Sequence, residues 1–265
     1  MSADVPSVII GGGRIGNLLA ELGGGCGDVV LRRGDAFPAE PASGPIYVAT
    51  RNNDLAAIIE ATPDHRKEDL VFMQNGMLSN FLDTKGLADN TQVLLYLAVA
   101  KVGAAPIDGI TDVNPEGLTT AKGKHAAAFQ ARLAKGSLKC NIKEGAAFNS
   151  AALEKHIWIC SYMLVGALHG GCTIGEVCAG HLDEHKALAA ELASGVEKCL
   201  GLTLEDGYYE RLSGYARSVA HYPTAVKELE WRNGWFHDLS KAALANGQPD
   251  PMPLHTAGLA KLGLV

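Results

Sequence analysis

Short apolar runs alternate with amphipathic segments through the first hundred residues of the chain. The runs with the length of buried strands are 7–11, 28–31, 44–49, 70–73 and 93–99. Between them, 14–22 and 52–61 space their apolar residues along one helical face. Because short strands that alternate with helices form parallel sheets covered on both faces, this half is predicted to be an α/β domain.

The pattern changes after about residue 110. Residues 110–124 are rich in turn formers, and a helix over 125–135 and a short strand over 138–142 are predicted after them. The later segments with helical periodicity are 150–169, 181–201, 205–220, 223–245 and a short one near 255–262. We therefore predict an α/β domain over 1–145 and an all-α domain over 146–265.

Composition narrows the function classes. Hydrophobic residues make up 47% of the chain and charged residues 20%, and the formal net charge is −6. A negative chain lacks the basic footprint that nucleic acids and membrane surfaces require. No apolar run reaches the ~18 residues of a membrane span, and the N-terminus shows no basic leader segment. We expect a cytoplasmic protein with no nucleic-acid partner and no membrane partner.

A glycine-rich turn joins the first predicted strand to the first predicted helix. Its residues, Gly11, Gly12, Gly13, Arg14, Ile15 and Gly16, fit the pattern G-x-G-x-x-G. In that pattern the first glycine makes the tight turn, the second admits a pyrophosphate, and the third lets the helix pack on the strand. This context predicts a Rossmann domain that binds a nicotinamide dinucleotide through these residues. A purely structural turn is the alternative.

The end of the second predicted strand indicates which dinucleotide binds. NAD sites place an acid there for the ribose 2′-hydroxyl, whereas NADP sites place an arginine there for the 2′-phosphate. Here Arg32 and Arg33 follow Leu31 directly, and the nearest acid, Asp35, lies beyond Gly34. We predict NADP (NADPH) as the cofactor, and the alternative is a solvated loop with two surface arginines.

Two other chemistries are weighed and set aside. His181 and His185 are four residues apart, with His169 and Cys172 upstream, but the glutamate between them is not where a zinc-protease helix requires it. We predict no metal and interpret the segment as a solvated helix start. Ser161 and Ser213 lack the turn that exposes a nucleophilic serine, which argues against a hydrolase.

Several further stretches, taken in order with the glycine turn, resemble the ketopantoate reductase family (2-dehydropantoate 2-reductases). They are Val48-Ala-Thr-Arg51, Gln74-Asn75-Gly76, Glu154-Lys155-His-Ile-Trp158, Ser218 to Tyr222, Glu228 to Gly234, and Pro251 to Leu254. The resemblance spans most of the chain. It implies an NADPH-dependent reductase of a carbonyl compound, whose all-α C-terminal domain is like that of 6-phosphogluconate dehydrogenase.

The resemblance also implies roles for individual residues. Asn75 would lie between the nicotinamide and the substrate, and Arg51 would replace a family lysine that touches both. Lys155 would be the general acid that protonates the carbonyl oxygen, as an ammonium group can. Ser218 would bind the substrate's carboxylate, and Glu228 would hold its other polar group.

The chain departs from the family at three substrate-binding positions. Asparagines are expected four and eight residues after the lysine and one turn before the serine, but Ile159, Met163 and Tyr215 stand there. Each unpaired polar group on a substrate costs ~1–3 kcal/mol, so we predict an altered small-molecule carbonyl substrate. An imine-type substrate and a catalytically weak NADP(H) sensor are the alternatives. The apolar helical half could support a homodimer.

Overall fold

The computed structural model describes residues 5–265, which divide into two compact units. One comprises the described residues up to Ile110 together with Asn114–Phe148, and the other comprises Thr111–Val113 with Asn149–Val265. The first is an α/β unit and the second is helical, so the predicted fold class, α/β followed by all-α, is confirmed.

A parallel sheet forms the centre of the N-terminal unit. The strands described in this unit are β1 (Val8–Ile10), β2 (Val29–Leu31), β3 (Ile46–Val48), β4 (Leu70–Phe72), β5 (Thr91–Leu94), β6 (Leu97–Ala98), β7 (Ile107–Asp108), β8 (Thr120–Lys122) and β9 (Asn141–Ile142). The main sheet has the order β2-β1-β3-β4-β5-β8-β9 and is parallel from β2 to β5. β8 then joins β5 antiparallel, and β6 and β7 form a separate ribbon. The carboxyl ends of β1, β2, β3 and β4 therefore share one edge, where open parallel sheets bind ligands.

Helices pack against this sheet around one apolar cluster. The helices described are α1 (Arg14–Gly23), α2 (Leu55–Ala61), α3 (Ser79–Thr84) and α4 (Ala126–Ala134). Leu19 of α1 and Phe129 and Leu133 of α4 are fully buried with Tyr47 of β3. The rings of Tyr47 and Phe129 meet edge-on with centroids 5.7 Å apart, a favoured aromatic geometry. The apolar spacing that predicted α1 thus marks the face of this helix that the core uses.

A buried ion pair fixes the start of β2 to α4. The side chains of Asp28 and Arg132 are only 7% and 5% exposed. Asp28 accepts hydrogen bonds from the Ser7 backbone N–H at 2.8 Å and from Arg132 Nη2 at 2.9 Å. Burial by itself raises the pKa of Asp28, but the bonds from Arg132 and Ser7 outweigh it and leave the pKa lowered. The fold therefore holds this carboxylate in its charged form.

The C-terminal unit is built from helices. They are α5 (Gly145–Leu168), which begins at the end of the first unit, then α6 (Ile174–Gly180), α7 (Leu182–Leu200), α8 (Tyr208–Ser218), α9 (Asn233–Ala245) and α10 (Pro253–Lys261). The pattern did not predict α6, although Thr173 and Glu176 form a reciprocal capping box at its start. Among residues 5–265, no helix is long and apolar enough to cross a membrane.

The predicted helix over 223–245 is wrong in its first ten residues. Thr224 donates its hydroxyl to the Cys172 carbonyl at 2.6 Å, and Pro223 forms a β-bridge with Thr173. Glu228 then adopts a left-handed backbone with φ +48°. These contacts hold the chain at Pro223 and Thr224 outside a helix, and a single 3-10 turn over Leu229–Trp231 follows before α9 begins at Asn233. Glu228 is consequently a loop residue and not part of a helical face.

The predicted strand over 93–99 is interrupted. The backbone N–H of Tyr96 donates to the Thr119 hydroxyl at 3.0 Å, and this bond lies between β5 and β6. The partner residue precedes β8, which the turn-rich composition of 110–124 concealed. A short strand can therefore be hidden among turn-forming residues, because its partner strand is distant in the sequence.

Candidate dinucleotide site and the buried lysine

The glycines of the turn between β1 and α1 have different structural roles. Gly11 has φ +109°, and an added Cβ would lie 2.7 Å from the Ala49 carbonyl oxygen. A Cβ on Gly16 would lie 1.8 Å from the Gly11 carbonyl oxygen, so α1 can approach the turn this closely only with glycine. Gly13 precedes α1 and has no heavy atom within 4 Å of an added Cβ. The turn thus leaves open space beside the helix N-terminus, where an anion is favoured.

The two side chains inside the turn point to other partners. Arg14 donates from Nη1 to the Val99 carbonyl at 2.9 Å, which ties the start of α1 to the segment after β6. Ile15 packs against the apolar cluster of the sheet. Arg14 also borders a cavity of about 520 Å³ together with Arg33 and Arg51. The same cavity is also lined by one acid, Asp54, so its border carries a net positive charge, which suits a phosphate group.

A cavity of about 660 Å³ lies beside the glycine turn. Ile10, Leu31, Phe37 and Ile58 give it apolar walls, and Gly11 and Gly12 form one side. Small-molecule sites have this size and a mainly apolar lining. Apolar walls beside an exposed glycine backbone fit a nucleoside next to its phosphates, so the residues present suit the adenosine end of a dinucleotide.

Arg32 and Arg33 both line this cavity. The Arg33 side chain is 94% exposed and lies 3.7 Å from an Asp54 oxygen, which makes a weak surface ion pair. Arg32 lies over Gly12, since an added Cβ there would be 3.5 Å from Nε of Arg32. The carboxylate of Asp35 accepts the Arg32 backbone N–H at 2.7 Å. The acid therefore orders the turn that carries the two cations.

Hydrogen bonds join the ends of β3 and β4 beneath the predicted nicotinamide end. Gln74 donates from its amide to the Val48 carbonyl at 2.7 Å, and its own oxygen accepts the Met73 N–H at 3.1 Å. Asn52 is 2% exposed and donates from Nδ2 to the Asn75 carbonyl at 2.9 Å. Asn52, which the sequence did not single out as a site residue, holds the backbone of Asn75 in place.

Lys155 lies on α5 and is 9% exposed. Burial, together with the smaller effect of the nearby charge of Arg232, lowers the pKa of its ammonium group to about 7. Arg232 also forms an ion pair with Glu228. The structure thus links two residues that the sequence singled out, Lys155 and Glu228, through an arginine that the sequence reasoning missed. The i,i+4 spacing within the predicted helix was a signal for the pairing of Glu228 with Arg232, but not for the placement of Arg232 near Lys155.

The remaining predicted substrate positions are largely packed into the helical unit. Ser218 ends α8, is half-buried and donates its hydroxyl to the Tyr215 carbonyl at 2.7 Å. Tyr215 is 6% exposed, and its ring centroid is 4.8 Å from that of Trp158. Ile159 is also buried, at 8% exposure, and Met163 is partly buried. Packing thus accounts for the apolar residues at the positions that depart from the family.

A mainly parallel sheet with a glycine turn between its first strand and first helix, followed by a helical unit with a buried lysine, defines the fold of the chain. The chain is similar to a PanE/ApbA family ketopantoate reductase from Ralstonia eutropha, with a TM-score of 0.65, 16% identity and coverage of 96% of this chain and 98% of that one. A 2-dehydropantoate 2-reductase from Geobacter metallireducens gives 0.64 at 16% identity, covering 98% and 99%.

A D-mandelate dehydrogenase solved with NADH and anilino(oxo)acetate gives a TM-score of 0.64 at 11% identity, covering 96% of this chain and 98% of that one. No protein-family model and no curated protein matches the chain. At these identities the likeness establishes the fold. The structural resemblance to ketopantoate reductases is thereby confirmed over nearly the whole chain.

Proposed function

We propose that the protein is an NADP-dependent reductase of a 2-oxo acid or a related carbonyl compound. The observation that carries the proposal is Lys155, a buried lysine whose pKa is lowered to about 7 on a fold shared with ketopantoate reductases and a D-mandelate dehydrogenase. Perturbed titratable groups of this kind concentrate at functional sites.

The N-terminal unit supplies the residues for the dinucleotide. Backbone N–H groups at Gly12 and Gly13 would receive the pyrophosphate, and Arg32 with Arg33 would hold the 2′-phosphate bidentately. The open space at Gly13 and the two arginines on the cavity wall support this assignment. Arg51 and Asn75 would contact the nicotinamide end. The bound dinucleotide supplies the hydride for the reaction.

Lys155 would act as the general acid. As a carbonyl carbon accepts hydride, negative charge develops on its oxygen, and a positioned ammonium group stabilises that charge and donates the proton. A pKa near 7 suits this task, because the proton is present at neutral pH and is readily given up. Arg232 assists, since its charge makes the protonated lysine a stronger acid.

The other predicted substrate residues would orient the molecule. Ser218 would bind a carboxylate and Glu228 would hold a second polar group. The substrate would be less polar than ketopantoate, because Ile159, Met163 and Tyr215 offer no asparagine amide to it. An imine or an amino-acid-derived keto compound would suit the same hydride geometry.

One observation favours a second candidate, a catalytically weak protein that senses NADP(H). Tyr215 and Ile159 are packed into the helical core, so at two positions a core side chain stands where the family has a polar group that binds substrate.

The proposed function includes a homodimer formed through the helical unit. A Staphylococcus aureus ketopantoate reductase that shares the fold is dimeric.

A substrate screen distinguishes the two candidates. NADPH oxidation is followed with a panel of 2-oxo acids and imines, with the Lys155→Ala variant measured in parallel. We expect turnover on at least one less polar 2-oxo acid and its loss in the variant. Tight NADPH binding without turnover on any carbonyl would support the sensor. Turnover of ketopantoate at an ordinary enzymatic rate would contradict the proposal that the substrate differs from ketopantoate.

A further inference from the structure

Two histidines and a glutamate converge on the surface of the helical unit, on residues that the proposed reaction does not use. His169 follows the end of α5, His181 lies between α6 and α7, and Glu184 is in the first turn of α7. One ligand atom from each lies within 4.8 Å of the others. The end of α5 and the junction of α6 with α7 therefore bring two nitrogen donors and one oxygen donor to one point.

The geometry within the cluster is close. His169 Nε2 and Glu184 Oε2 are 2.6 Å apart, and the rings of His169 and His181 lie nearly parallel with centroids 3.5 Å apart. Donors around a tetrahedral zinc ion are about 3.3 Å from one another. His169 and Glu184 are exposed and His181 is partly exposed, so modest side-chain rotations are enough to reach that spacing.

The backbone around the cluster is firmly held. The capping box of Thr173 and Glu176 fixes the start of α6, and the His181 backbone N–H donates to the Val177 carbonyl at 3.0 Å. His185, the other histidine of the segment, has a different environment. It is fully buried, 3.0 Å from the Ser161 hydroxyl and 2.9 Å from the Tyr209 hydroxyl. His181 and His185, although four residues apart, therefore do not share a site, because His181 is at the surface and His185 is in the core.

We propose that His169, His181 and Glu184 bind a divalent transition-metal cation of the zinc class. Two imidazole nitrogens and one carboxylate oxygen suit Zn²⁺, Co²⁺ or Ni²⁺ and are poor ligands for Mg²⁺, which prefers an all-oxygen shell. Three protein ligands leave one position to water at the exposed surface. The bound ion joins the end of α5 to the beginning of α7. The proposal departs from the sequence-based prediction of no metal and a solvated helix start.

The test is a titration of the full-length protein, cleared of metal by chelator, with Zn²⁺ and separately with Mg²⁺. Calorimetry gives the stoichiometry and affinity. The variants are His169→Ala, His181→Ala and the double variant, and His65→Ala, an exposed histidine on the other unit, is the matched control. We expect one saturable Zn²⁺ site per chain and at least about a tenfold weaker affinity in each single variant, because even indirect supports of a metal ligand contribute that much.

A second measurement distinguishes metal binding at this site from metal binding by the cysteine thiolates. Co²⁺ loading reports its ligands by absorption, and a nitrogen and oxygen site gives no thiolate charge-transfer band. Folding is monitored for each variant by circular dichroism. Zn²⁺ affinity unchanged in the folded double variant, a thiolate band with Co²⁺, or the absence of saturable Zn²⁺ binding to the original chain would each overturn the proposal.

Discussion

The two units bury ionisable groups in opposite ways. In the N-terminal unit, hydrogen bonds from Arg132 and Ser7 outweigh the effect of burial and keep Asp28 charged, with a lowered pKa. In the helical unit, burial and the charge of Arg232 press Lys155 toward its neutral form, with a pKa near 7. A buried carboxylate beside an arginine organises the fold, whereas a buried ammonium beside another cation is destabilising, and it is the better candidate for chemistry.

The largest effect is expected from removing the Lys155 amine. Lys155→Met should lower turnover by about 10²–10⁴-fold on whichever carbonyl the protein reduces, because general-acid catalysis contributes that much. NADPH affinity should be unchanged, which a fluorescence titration measures. Lys261→Met, an exposed lysine of α10, is the matched control. Turnover in the Lys155 variant equal to that of the original chain would show that Lys155 is not the general acid.

The same substitution should also change how stability depends on pH. The folded protein releases the Lys155 proton near pH 7 and the unfolded chain near 10.5, so between these values the unfolded state holds more protons. Raising the pH through this window therefore stabilises the original fold. Lys155→Met should be more stable than the original chain by on the order of a few kcal/mol at pH 6, and the difference should shrink toward pH 10. Urea unfolding at several pH values measures this, and a pH-independent difference would contradict it.

Asp28 should respond in the opposite direction. Asp28→Asn removes the charge that Arg132 faces and should destabilise the protein by about 3–5 kcal/mol at neutral pH, as breaking a buried ion pair does. Because the folded pKa of Asp28 is lowered, this contribution is present above its ordinary pKa of 3.8 and is lost as the pH falls through the folded value. Asp89→Asn, on an exposed carboxylate, is the control. Equal stability of the two variants would show that Asp28 is not structural.

The glycine turn allows a smaller but sharply matched contrast. Gly16→Ala places a Cβ 1.8 Å from the Gly11 carbonyl oxygen, so α1 must shift, and we expect a loss of about 1–3 kcal/mol together with weaker NADPH binding. Gly13→Ala meets no heavy atom within 4 Å, and its thermal unfolding midpoint should stay near that of the original chain. Equal destabilisation by the two substitutions would contradict the steric difference between positions 16 and 13.

Much of the N-terminal unit could be predicted because its signals are local. A glycine motif, a strand before it and a helix after it are neighbours in sequence, and the backbone at Gly11 and Gly16 needs those residues for steric reasons. The helical unit was harder to predict, since Thr224 donates its hydroxyl to the carbonyl of Cys172, and this bond holds the chain before Glu228 outside a helix. Arg232 was missed for the same reason, because nothing near Lys155 in sequence reveals which cation the fold brings beside it.

The smallest predicted effect concerns which dinucleotide binds, and it tests the central claim most directly. NADPH and NADH are titrated against the original chain and against the Arg32→Ala, Arg33→Ala double variant, with Arg217→Ala as a surface control. The account predicts that NADPH binds the original chain at least about tenfold more tightly than NADH, and that the double variant loses this preference while keeping its NADH affinity. Absence of saturable binding of either dinucleotide, or a preference for NADH that the double variant leaves unchanged, would contradict it.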